Sequence, residues 1–101
     1  MPRQEKDNLW NKYRIFETVQ FQTDLKQIAS FGHSKIVQKL RFVVHPQLQE
    51  HPHFGSNVKK LKSFEPETWQ YRIGAWRFFY EIDEQEKIVF MLAASHRSKA
   101  Y

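Results

Sequence analysis

The stretch "WQYRIGAWRFFYEI" (69–82) constrains the fold more tightly than any other part of the chain. Two runs rich in large apolar residues flank the dipeptide Gly74–Ala75. Glycine at the first position of a two-residue loop suits a type II′ turn, whose twist matches that of the strands it joins. The loop length then fixes the register. Ile73 lies opposite Trp76, Arg72 opposite Arg77, Tyr71 opposite Phe78 and Gln70 opposite Phe79. Because side chains alternate across a strand, Trp69, Tyr71, Ile73, Trp76, Phe78, Tyr80 and Ile82 share one face. Every one is apolar or aromatic, so this is the expected core face. Gln70, Arg72, Arg77, Phe79 and Glu81 share the other.

A third strand-like run, "KIVFMLAAS" (87–95), follows the turn residues "DEQE" and completes an antiparallel meander. Upstream, "YRIFETVQF" (13–21) alternates with Tyr13, Ile15, Val19 and Phe21 on one side and reads as a strand. Thr23 or Gln22 then caps a helix with Leu25, Ile28 and Ala29 along one stripe, and Gly32 ends it. Ser34 caps a longer helix with Ile36, Val37, Leu40, Val43 and Val44 on one side. Pro46 ends or bends that helix, because it lacks an N–H and restricts His45 before it. "HPQLQEHPHFGSN" (45–57) is expected to be loop with room for one extra helical turn, and "VKKLKSF" (58–64) an extended or irregular basic segment. Residues 1–12 are a polar lead-in, in which Trp10 could tuck onto the domain, and 13–101 form the single domain. The predicted class is α+β in the order β-α-α-β-β-β, an antiparallel sheet with a helical pair packed on one face.

Of the 101 residues, 16 are Lys or Arg and 11 are Asp or Glu, a net charge of +5 that points to an anionic partner. Cysteine is absent, which excludes a disulfide framework and thiolate metal sites. The N-terminus lacks an apolar signal-like core and no run reaches membrane-spanning length, so a cytoplasmic location without membrane contact is expected.

Arg72 directly opposite Arg77 is unfavourable in a sheet unless an anion sits between them; otherwise the two side chains splay into solvent. The last strand runs antiparallel to the middle one, so "HRSKAY" (96–101) emerges beside that pair. His96, Arg97 and Tyr101 are thus expected to converge on Arg72 and Arg77. The face Arg97 takes is left open, because a bulge in the apolar last strand would flip it. Guanidinium groups bind a phosphate in forked geometry and stabilise charge growing on it, while His or Tyr can move protons. Lys59, Lys60 and Lys62 would extend the cationic surface along a nucleic-acid backbone. His45, His51 and His53 lack the spacing and companions of a metal site, and no metal or cofactor is expected.

"KKLK", the "YRIGxWR" hairpin, the "YEID" strand end and the terminal "HRxxxY", taken in order, resemble the RelE/ParE superfamily of toxins from toxin–antitoxin pairs. The resemblance covers roughly residues 13–101. In the RelE branch it implies a ribosome-dependent, metal-independent endoribonuclease that cuts mRNA by attack of a 2′-hydroxyl on the adjacent phosphate. It implies catalytic roles for Arg72, Arg77, Arg97 and Tyr101, with His96 matching a histidine of some members. Gln70, a further RNA-contacting position, stands where some members carry a basic proton-transfer residue, and no glutamate base is apparent. The implied partners are mRNA, the ribosome and a cognate antitoxin bound in a higher-order hetero-oligomer. The same resemblance admits a ParE-like protein that poisons DNA gyrase by binding, or a degenerate toxin that only binds its antitoxin.

Overall fold

A computed structural model describes residues 12–98. The expected lead-in therefore lies outside the described residues except for Lys12, as do Trp10 and Tyr101. Five strands form one sheet in the order β1-β5-β4-β3-β2. They are β1 (Arg14–Glu17), β2 (Val58–Lys60), β3 (Trp69–Ile73), β4 (Trp76–Asp83) and β5 (Ile88–His96). The helices α1 (Val19–Ser30), α2 (Ser34–Lys39) and α3 (His45–Glu50) lie between β1 and β2. The α+β class and the helical cover on one face are as the sequence indicates. Two features go beyond it. The basic segment supplies a short edge strand, β2, antiparallel to β3. β1 pairs with β5 in parallel, at the opposite edge.

The β3–β4 register is the one set by the two-residue turn, with Arg72 opposite Arg77 and Gln70 opposite Phe79. Gly74 takes φ +56, the left-handed value that the first loop position requires. Phe78 and Tyr80 are fully buried and Trp69 and Tyr71 nearly so, against Phe21, Leu25, Ile28, Leu40, Val44 and Leu48 from the helices. The opposite face carries no helix among the described residues.

Three helical boundaries differ from expectation. The first strand stops at Glu17, and Thr18, not Thr23 or Gln22, caps α1: its Oγ1 accepts the Phe21 N–H at 3.1 Å. Phe21 then shares a helical face with Leu25 and Ile28, whereas Val19 turns out to solvent. Ser34 is already helical, and His33 holds the capping position before it. Pro46 does not end the second helical segment. A π-helical turn (Leu40–Val44) joins α2 to α3, with the His45 N–H bonded to Leu40 O five residues back. The widened turn relieves the clash a proline ring makes with the preceding carbonyls, and Pro46 sits in the first turn of α3, where an N–H is not needed. The extra residue rotates Phe42 and Val43 outward, 78% and 47% exposed, and leaves Leu40, Val44 and Leu48 as the buried stripe.

One titratable network ties this rod to β1. Glu17 accepts from Arg41 Nη2 at 3.1 Å and from His45 Nε2 at 2.9 Å. Burial lowers the His45 pKa from 6.5, outweighing the opposing pull of Glu17. Burial also pushes the Glu17 carboxyl up, but hydrogen bonds from His45 and Arg41 overcome it and hold the carboxyl below 4.5. A group that is harder to protonate in the folded chain loses stability as the unfolded chain takes up protons. Acidification is therefore expected to destabilise the protein first as pH falls through 6.5, from His45, and again below 4.5, from Glu17. Thermal melts between pH 8 and 5 check the first window: His45→Gln should flatten the slope of Tm against pH there. An unchanged slope would remove His45 as its source.

Candidate functional site

The sheet face opposite the helices is a grid set by strand registers. Arg72, Arg77 and Ser95 form the row nearest the hairpin turn. Lys59, Gln70, Phe79 and Ala93 form the next. Glu81, Phe90 and Phe16 form the one beyond.

Within the first row, Arg72 is exposed and its Nε donates to Gly74 O at 3.1 Å. The Arg77 guanidinium lies 5.9 Å from the Phe79 ring centroid, and its Nε is buried with no hydrogen-bond partner among the described residues. Neither arginine forms an ion pair among the described residues. Lys59, Gln70 and Arg72 line a shallow depression with Ser56, Asn57 and Gly74. Two adjacent guanidiniums without carboxylates beside such a depression suit an anion. The pair is expected to cost stability while it is empty. Arg72→Gln should therefore raise stability by ~0.2–1 kcal/mol, measured as the urea midpoint. A fall would show that the pair is not repulsive.

The last strand carries the bulge the sequence left open. Phe79 faces Ala93 while Tyr80 faces Met91, so Leu92 is an extra residue in β5. Thr18 Oγ1 donates to Leu92 O at 3.0 Å, and Asp24 Oδ2 accepts the Ala94 N–H at 2.9 Å, which fastens α1 to this irregularity. Beyond it, His96 pairs with Trp76 and lies on the helix-covered face, their rings 4.7 Å apart. Its Nδ1 accepts the Ser98 N–H at 3.1 Å, and His33 meets Trp76 on the same side. His96 therefore does not join the arginine pair, contrary to the expected convergence. The Arg97 N–H donates to Ala75 O at 2.7 Å, which carries the chain alongside the turn that Arg72 also grips. Tyr101 lies outside the described residues.

Of the basic segment, only Lys59 shares the arginine face. Lys60 stands on the other side, 5.9 Å from the Trp69 ring and paired with Glu67 at 2.8 Å. Lys62 lies past β2 in a separate depression with Phe64 and Glu65. The three candidate loop histidines disperse: His45 meets Glu17, His53 meets Glu84, and His51 packs near Phe54. No group of three potential metal ligands converges among the described residues. Among those residues, no helix is long and apolar enough to cross a membrane. The sequence assigns no role to Phe79 or Phe90; parity with Arg77 along β4 is a signal for Phe79, whereas the irregular register of β5 hides Phe90.

Residues 13–101 match the model of the ParE toxin of type II toxin–antitoxin systems, parDE. The chain belongs to that toxin family. No curated protein matches it in sequence. Among solved structures, the toxin–antitoxin complex RelBE2 from Mycobacterium tuberculosis is similar at 24% identity and TM-score 0.65, over 87% of this chain and 94% of that one. The YoeB/ParE toxin from Agrobacterium tumefaciens is similar at 15% identity and TM-score 0.68, over 82% and 96%. The isolated RelE toxin of E. coli is similar at 16% identity and TM-score 0.63, over 87% of each. At these identities the likeness is one of fold, a RelE-like architecture.

Proposed function

We propose that this toxin is a ribosome-dependent endoribonuclease that cleaves mRNA without a metal ion and so inhibits translation. The observation that carries the reading is the uncompensated Arg72–Arg77 pair on an uncovered sheet face, beside the turn to which Arg97 is tied. A phosphodiester held there meets two or three guanidiniums. The ribose 2′-oxygen attacks phosphorus, the bond to the 5′-oxygen breaks, and the products are a 2′,3′-cyclic phosphate and a 5′-hydroxyl. The arginines stabilise the additional negative charge of the pentacovalent state. Tyr101, the position the family resemblance implies, is assigned the proton transfers; His96, on the far face, is not. We infer an antitoxin partner as well, since the solved relatives include toxin–antitoxin complexes from M. tuberculosis and E. coli. An acidic segment that folds over the cationic face would suit the +5 chain.

Cell-free translation with primer-extension mapping of mRNA ends tests this. Codon-positioned cuts that need ribosomes, and that fade in Arg97→Ala and Tyr101→Phe, are expected. The match to a ParE family model favours a second reading, a toxin that binds and poisons DNA gyrase. Intact mRNA alongside trapped gyrase–DNA complexes would establish that one instead.

A further inference from the structure

We propose that Phe79 and Glu81 form a base-reading subsite on the uncovered face: Phe79 stacks on a nucleobase, and Glu81 selects bases that present N–H donors, guanine foremost, over uracil. The inference rests on the reading of this face as an RNA-binding surface.

Strand alternation places Arg77, Phe79 and Glu81 in one line along β4, each about 7 Å from the next. A cation, an aromatic ring and a carboxylate thus follow one another at a spacing that suits phosphate, base and base edge. The Phe79 ring is only half-buried. Its neighbour across the sheet is Ala93, and the side chain beside that is Ser95. Ala93 is too short to cover the ring, and Ser95 is buried in the Arg77 row. The next row adds Phe90, with Phe16 packed edge-on at 5.7 Å and 55% exposed. Stacking on exposed aromatics and hydrogen bonding to base edges is how proteins read single-stranded RNA.

Glu81 argues for more than generic stacking. It lines a depression with Asp83 and Phe90 and forms no ion pair among the described residues. A surface built only to attract phosphates gains nothing from a carboxylate two positions from its platform. An ionised carboxylate is acceptor-only. Guanine offers it two adjacent N–H groups, at N1 and N2. Uracil offers one N–H flanked by two carbonyls that repel it. The polarity of the face, cationic at the turn and acidic beyond Phe79, then orients the nucleotide with its phosphate toward Arg72 and Arg77.

The test is an NMR titration of the full chain, 15N-labelled, with 2′-O-methyl trinucleotides that cannot be cleaved: UGU, UIU (inosine at the centre) and UUU. UGU is expected to bind about tenfold tighter than UUU, with UIU between. Glu81→Gln should collapse the UGU/UUU ratio to within about twofold and leave UUU binding no weaker. Phe79→Leu should weaken UGU and UUU alike by about tenfold, and Phe79→Trp should restore both. Thermal melts of each variant separate these effects from loss of fold. Equal affinity for UGU and UUU, or a preference that survives Glu81→Gln, overturns the proposal. If UUU still shifts the Arg72 and Arg77 signals in that case, the RNA face itself stands. If no trinucleotide moves those signals, the RNA-binding reading fails and the subsite with it.

Discussion

Under the proposed endoribonuclease function, replacing Arg77 with alanine is expected to slow ribosome-dependent mRNA cleavage by about 10²–10³-fold, the usual cost of removing one donor from a charge-stabilising site. The effect should fall on the rate, because Arg72 and Lys59 remain to hold the substrate electrostatically. Arg77 is the more buried member of the pair: its stem is half-buried, its guanidinium lies by Phe79, and its buried Nε is a donor with no partner among the described residues. A buried donor without a partner gains a hydrogen bond when charge develops beside it. Primer extension on a translated message, with the variant matched for concentration, measures the effect. Circular dichroism should show an intact fold, since the substitution also removes one of two like charges at paired positions. Cleavage at the wild-type rate would detach the arginine pair from the chemistry.

Leu48→Ala is expected to destabilise the protein by about 2–5 kcal/mol, as large-to-small changes at fully buried positions do. Against a total near 5–15 kcal/mol for a domain of this kind, that is enough to unfold much of the population on mild heating. The prediction turns on a detail of the helical rod. A leucine two residues beyond a helix-ending proline would sit in a loop and cost little. Here the π turn carries the helix past Pro46, and Leu48 is fully buried below Leu40 and Val44. Urea unfolding followed by Trp fluorescence gives the value. A loss under ~0.5 kcal/mol, typical of surface positions, would mean that α3 does not pack as described.

The parts of the molecule legible in its sequence are those fixed by local rules. Gly74–Ala75 set the β3–β4 register, and with it the core face and the arginine pair. The start of α1 was harder, because Val19 and Phe21 continue the alternation of Tyr13 and Ile15 while Phe21 also fits the helical stripe of Leu25 and Ile28. Only the Thr18 cap, whose hydroxyl also reaches Leu92 O on the last strand, decides between the two periods. The π turn leaves no composition cue beyond Pro46 itself. The parallel β1–β5 pairing joins residues more than seventy positions apart, beyond the reach of any turn. His96 was misplaced for a related reason. Both faces of β5 are apolar, so its phase cannot be read from its residues, and the bulge at Leu92 puts His96 on the helix-covered face.

That bulge also bears on how the chain can change length. Phe79 already faces Ala93, and Tyr80 already faces Met91. A chain lacking Leu92 would keep both pairings in an unbroken ladder, with every later side chain on its present side. In a regular stretch of β4, such as Arg77–Phe78, losing one residue would exchange the two faces downstream. Leu92 is therefore where this sheet holds a spare residue. Arg97 keeps its place beside the turn whether or not the lineage retains it.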